Sequence, residues 1–168
     1  MTTIRLDPIF PRKGLFDFAK FDREFAGALN HTSNIIRDDF KATVRSWRTN
    51  VKFAKVGPRR LGGNLAVDVF TENKIYFYVE AGTKAHIIRP RSARVLRFQT
   101  GYTAKTRPGV IGSRGGGPRG PFVTARSVRH PGTQPRNFSK VIAKRRQRNH
   151  VNLTRLAFNR SFRFGGTL

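Results

Sequence analysis

The sequence has no cysteine, which excludes disulfides, thiolate metal sites and cysteine nucleophiles. Acidic residues run out early. Glu80 is the last of nine, and residues 81–168 hold 20 of the 34 Lys and Arg with no Asp or Glu. Any carboxylate chemistry must therefore come from the first 80 residues. There only Asp38 and Asp39 are adjacent, and no nucleophile–base pair emerges from spacing. No catalytic residue, cofactor or metal site is expected. Long apolar runs are also missing. No window approaches the roughly 20 apolar residues of a membrane span, and the opening MTTIRLDPIFPRKG has no continuous run of signal-peptide length. The expectation is a soluble chain made in a cytoplasm, without a membrane partner.

What is present in excess is positive charge. The first 80 residues carry 14 cations against nine anions, so the back half supplies most of the net +25. Charge this lopsided repels itself unless a polyanion or an acidic protein surface lies alongside. Nucleic acid is the first candidate for that partner. The apolar fraction, with 15 Phe, suffices for one compact core within the 168 residues.

Residues 1–14 read as an extended arm, because Pro8 and Pro11 bias their predecessors away from helix. Ile4, Leu6, Ile9 and Phe10 suit that arm to docking, on its own subunit or on a neighbour. From Phe18 to Trp47 the apolar positions Phe21, Phe25, Ala28, Leu29, Ile36, Phe40, Val44 and Trp47 draw one stripe on a long helix. Gly27 and the run Asn30–Asn34 are poor helix formers and are expected to break it in two, or to weaken it there. The period then changes to two. Leu65–Phe70 and Lys74–Val79 flank Thr71-Glu72-Asn73 as a hairpin would. Arg94–Gln99 and Phe122–Val128 read as further strands. Residues 100–121, with seven Gly, three Pro and four cations, read as an inserted loop that does not pack on a core. A last helix starts at the cap Asn137, with Phe138, Val141 and Ile142 inward, and falters near Asn149–Asn152. The chain should thus be α+β: an antiparallel sheet of four to five strands packed by a long N-terminal helix and a C-terminal helix. The body is placed at residues 15–148, followed by a basic tail at 149–168 that contains Phe158, Phe162 and Phe164.

Two stretches carry more information than generic helix and sheet. The first runs Tyr78-Val79-Glu80-Ala81-Gly82-Thr83, then His86, Pro90 and the strand Val95-Leu96-Arg97-Phe98. The second is His130-Pro131-Gly132-Thr133, leading to Phe138. Their order, with a Gly-rich insertion between them and a long helix before them, resembles the neck or tail-completion proteins of long-tailed double-stranded DNA bacteriophages, a family of head–tail connector and minor tail components. The segment Gln134–Ser139 departs from the family pattern in being more basic and less apolar. The resemblance implies a non-enzymatic structural protein of the virion, assembled in the host cytoplasm. It implies a ring around the DNA channel, six copies by default and twelve as the variant that matches the portal. Its partners would be further copies of itself, the portal-side connector, the tail-terminator or tube proteins, and double-stranded DNA held by non-specific phosphate contacts.

The cations expected to face DNA or an acidic partner are Lys105, Arg107, Arg114 and Arg119 in the loop, and Lys144, Arg145, Arg146 and Arg148 on the last helix. Blander readings stand beside these. Glu80 reads as a structural anion near Lys84, Arg89, Arg91 and Arg94. His86 and His130 fall short of a zinc ligand set and read as anchors of turns. Gly115-Gly116-Gly117-Pro118 lacks the Lys-Ser/Thr ending of a phosphate loop. The run Lys144-Arg145-Arg146 serves equally as a targeting signal or as a solvated helix face. The Phe-rich tail either finishes the core or docks on a neighbour. A rival from another class also stays open: a basic nucleic-acid-binding module of ribosomal-protein type, which the same charge supports.

Overall fold

The computed structural model describes residues 16–61 and 64–162. The arm at 1–14 and the end of the tail with Phe164 lie outside the described residues. The fold is α+β, with three helices and six short strands among the described residues.

Helix α1 (Phe18–Val44) begins at Asp17, whose carboxylate accepts from the Lys20 amide at 2.8 Å. It does not break at Asn30–Asn34. Ser33 returns its hydroxyl to the Asn30 carbonyl at 2.8 Å, and Lys55 donates to both Asn30 and Asn34. Thr32 and Ser33 are buried. The polar run is thus consumed as a packing and hydrogen-bonding surface, which outweighs its poor intrinsic propensity.

Strands β1 (Ala54–Leu61) and β2 (Asn64–Phe70) form an antiparallel hairpin, with a register shift between Val56 and Arg59. The expected hairpin after β2 is absent. Asn73 instead caps a helix, accepting from the Tyr76 amide at 3.0 Å, and Lys74–Ala81 is α2. Its residues Ile75 to Val79 suit a strand by composition. Burying Tyr76 and Val79, three apart, against the core rewards the helix instead.

The remaining strands are β3 (His86–Ile88), β4 (Leu96–Gln99), β5 (Phe122–Ala125) and β6 (Val128–His130). The expected strand at Phe122–Val128 divides: β5 pairs with β4, and β6 pairs with β3. Among the described residues there is consequently no sheet of four to five strands. Three separate two-stranded sheets take its place, and each strand is paired on one side only among the described residues.

Helix α3 (Phe138–Arg160) continues through Asn149–Asn152, so residues 149–160 belong to that helix rather than to a tail. It runs antiparallel to α1. Arg146 holds Asp39 near one end of the pair, and Arg160 meets Glu24 near the other. Between these, α3 inserts His150 beside Phe25 and Phe158 beside Phe21.

The core is small. Val44, Val51, Phe53, Tyr76, Phe138 and Ile142 are buried together, with Ile36, Phe40, Trp47, Val79 and Ile111 packed on them. A second aromatic cluster joins Phe16, Phe21, Phe158 and Phe162 where α1 begins and α3 ends. These two tail phenylalanines therefore pack on their own chain, while Phe158 keeps 45% of its surface exposed.

Candidate interaction surface

The two informative stretches, some fifty residues apart in sequence, interlock. Helix α2 ends at Gly82, which has φ 76°. A Cβ there would lie 2.5 Å from the Thr133 carbonyl oxygen, so glycine is required both by conformation and by space. Thr83 and Thr133 then exchange both backbone hydrogen bonds at 3.0 Å. Gly132 (φ 91°) closes the same contact from the other side, where a Cβ would meet the Thr83 oxygen at 2.2 Å. Beyond it, His86 and His130 are register partners in the β3–β6 pair, with ring centroids 5.0 Å apart.

Each of these rings closes a turn at its own strand end. His86 Nδ1–H donates to the Lys84 carbonyl at 2.9 Å, and His130 Nδ1 accepts from the Gly132 amide at 3.0 Å. No group of three or more His, Asp or Glu is gathered among the described residues. Pro131 is exposed in the turn, and Pro90 is half-buried just past β3.

Glu80 does not pair with Lys84, Arg89, Arg91 or Arg94. Its Oε2 accepts from the Phe138 amide at 2.6 Å and its Oε1 from the Ser139 amide at 3.0 Å, so it caps α3. Asn137, the expected cap, sits at φ 51° and makes no side-chain cap bond. A carboxylate at a helix N-terminus meets free amides and the positive end of the dipole together. The same negative charge, added to burial as the larger cause, pushes the Tyr76 hydroxyl far above its ordinary pKa. That hydroxyl is buried with no hydrogen-bond partner among the described residues.

Residues 100–121 are folded onto the body, contrary to expectation. Thr103 and Gly117 exchange backbone hydrogen bonds, and the Arg114 amide donates to the Lys105 carbonyl. Ser113 and Lys105 pin this segment to the C-terminal end of α1. Ser113 Oγ accepts from the Ser46 amide, and Lys105 Nζ donates to the Ser46 carbonyl at 2.7 Å. Ile111 reaches the core. One apolar anchor and several polar pins compensate for the glycine content.

The predicted cations accordingly part into two sets. Arg107, Arg114 and Arg119 are exposed on the folded loop, and Lys144, Arg145 and Arg148 are exposed on α3. Lys105 and Arg146 are different. Lys105 is a pin, and Arg146 makes a two-pronged pair with Asp39 at 2.6 and 2.7 Å, its side chain only 20% exposed. The hydrogen bonds from Arg146 to Asp39 raise the Arg146 pKa. This pair fastens α3 to α1 and takes Arg146 out of the outward-facing set.

The carboxylates show the same pattern. Asp17 and Glu80 cap helices, while Asp22, Glu24, Asp38, Asp39 and Asp68 face Arg60, Arg160, Lys41, Arg146 and Arg59. Of the described acids only Glu72 has no such partner. Exposed apolar side chains lie on the short strands and on α2, among them Ile87, Phe122, Phe77 and Tyr78, each more than half exposed. Arg97 stacks over the Phe122 ring at 5.0 Å. No described helix is long and apolar enough to cross a membrane. No family model, curated protein or solved structure matches this chain.

Sequence reasoning missed Arg136, Thr106 and Trp47 as a group. In sequence Arg136 is one residue of the basic segment Gln134–Ser139, and Trp47 is the end of a helix stripe. Nothing local to either residue signals that they line one cavity.

Proposed function

We propose that this chain is a structural subunit of the neck or tail-completion region of a long-tailed phage, built into a ring that joins head to tail around the DNA channel. One observation carries the reading. Seven of the eight described carboxylates are engaged inside the fold, so the exposed cations from Lys84 to Arg148 find their counter-charge only outside the molecule.

Three further features support assembly. Among the described residues the strands of all three sheets have an open edge, a liability in a lone protomer and a joining surface in a ring. Apolar side chains crowd the surface of those strands and of α2. The Glu80–Thr83 and His130–Thr133 stretches, which carry the family resemblance, form one interlocked framework. The ring would hold six copies, or twelve against a portal. It would touch duplex DNA through phosphate alone, with Arg107, Arg114, Arg119, Lys144, Arg145 and Arg148 as the contacts.

The rival reading, a nucleic-acid-binding module, has one observation in its favour. Tyr102 and Phe122 are 69% and 62% exposed beside the Gly/Arg segment, where bases would stack. Electrophoresis of purified phage particles separates the two. A neck subunit is present there in a few copies per particle. A monomer that retards RNA and is missing from particles supports the rival.

A further inference from the structure

Between the C-terminal end of α1, helix α2 and the Gly-rich segment lies an open cavity of about 360 Å³. Its apolar wall includes Trp47, Tyr102 and Val79, and its cations are Arg48, Lys105 and Arg136. No described carboxylate lines it. Glycine backbone makes one wall: a Cβ on Gly116 would lie 2.7 Å from the Thr103 oxygen, so the strand-like contact closes only without a side chain.

Arg136 is the anomaly. It is 9% exposed, and its Nε donates to the hydroxyl of buried Thr106 at 3.3 Å. Neither Nη has a hydrogen-bond partner among the described residues, and no described carboxylate lies within ion-pair distance. Glu80 is close by, since its carbonyl accepts from the Arg136 amide at 3.1 Å. Its carboxylate, however, is turned onto α3. A guanidinium on a residue nine-tenths buried, with one neutral partner and only the solvent of the cavity at its Nη atoms, is costly. Lys105 and Arg48 beside it add repulsion rather than relief.

We propose that the cavity receives a glutamate or aspartate side chain from a partner protein, whose carboxylate pairs with Arg136 while its stem lies along Trp47 and Tyr102. The planar guanidinium matches a carboxylate in two-pronged fashion. Its recessed position favours a projecting side chain over duplex phosphates, which lie along a broad ridge. The chain's own described acids are engaged elsewhere, apart from Glu72, which lines a separate hollow with Lys52 and Asn73; a carboxylate from a partner is therefore the proposed occupant. That partner need not belong to a phage ring, and the test below never reads ring formation.

Trp47 is the only tryptophan in the chain; it lines this cavity and the neighbouring groove along Asn50 and Lys52, and the Arg136 variant below assigns its signal to the cavity. The probes are the blocked peptide acetyl-LELEL-amide and its amide counterpart acetyl-LQLQL-amide, titrated into the full-length protein. The acidic peptide is expected to change Trp47 emission saturably and to bind at least about tenfold more tightly than the neutral one, a difference of one charge-assisted pair. Arg136→Met should abolish that preference without lowering the melting temperature, because it removes an uncompensated buried charge. If that variant fails to fold, Arg48→Ala on the exposed rim should still weaken the acidic peptide several-fold. Equal binding of both peptides, or a preference that survives in both variants, overturns the proposal. Displacement of the peptide signal by a short DNA duplex at lower concentration than the peptide's own also overturns it, assigning the site to phosphate.

Discussion

The carboxylate of Glu80 holds the first amides of α3, those of Phe138 and Ser139, and so couples the end of one motif to the start of the last helix. Phe138, whose side chain is fully buried, is placed in the core by the same contact. Glu80→Ala should lower stability by about 2 kcal/mol, the loss of a charged cap with two bonds. Glu80→Gln, which keeps one acceptor, should cost about half as much. Urea denaturation followed by circular dichroism measures both, and equal stability of Ala and wild type would refute the capping role.

Gly82 and Gly132 face each other's strands with positive φ and no room for a Cβ. Gly82→Val and Gly132→Ala should each destabilise by at least about 3 kcal/mol, since backbone strain and a clash with a carbonyl oxygen add. Gly109, also at positive φ but with nothing within 4 Å of a Cβ, is the control. Gly109→Ala should cost only about 1 kcal/mol. Thermal melts of the three variants test this ordering.

Tyr76 has a buried hydroxyl with no partner among the described residues, in a ring packed against Phe53 and Phe138. Tyr76→Phe keeps the ring contacts and removes the unsatisfied group, so it should stabilise the fold by about 1 kcal/mol. Burial and Glu80 hold the hydroxyl's pKa above its ordinary value. Its ionisation is thereby favoured in the unfolded chain. Stability contributed by this group is full below the ordinary tyrosine pKa and is lost as pH rises above it. The variant, lacking the hydroxyl, has no such loss, so the gap between variant and wild type should widen above about pH 10. Denaturant melts at neutral pH and about one unit above the ordinary tyrosine pKa measure it.

Arginines of one sequence run do different jobs. Arg146→Ala should cost about 2 kcal/mol by stranding Asp39, whose side chain is 12% exposed, whereas Arg145→Ala should stay within about 0.5 kcal/mol. Replacing Arg107, Arg114 and Arg119 together with Ala should leave the melting temperature unchanged. It should reduce the salt slope of duplex DNA binding by about 2 to 3, one counterion per lost phosphate contact. An unchanged slope would remove the loop from the DNA-facing surface.

The sequence discloses what periodicity and steric demand control. The stripe from Phe21 to Val44 marks α1, and the two motif stretches point to Gly82 and Gly132, the glycines that the Thr83–Thr133 contact requires. What it hides is decided by distant partners. Lys74–Val79 is strand-like by composition, and only the core site that takes Tyr76 and Val79 makes it a helix. Asn30–Asn34 looks like a break until Lys55 and the hydroxyl-to-carbonyl bond of Ser33 are in place. The loop at 100–121 looks structureless because Ser113, Lys105 and Ile111 give no local sign that they meet α1 and the core. Arg145 and Arg146 are indistinguishable in sequence until Asp39, more than a hundred positions away, selects one of them.

This molecule is proposed to be completed by assembly, its open strand edges and surplus cations being satisfied by neighbours. Negative-stain electron microscopy with native mass measurement of the purified protein, at salt high enough to screen its net charge, tests that claim most directly. Closed rings of six or twelve copies around a central channel are the expected result. A monomer at every salt and protein concentration would contradict it.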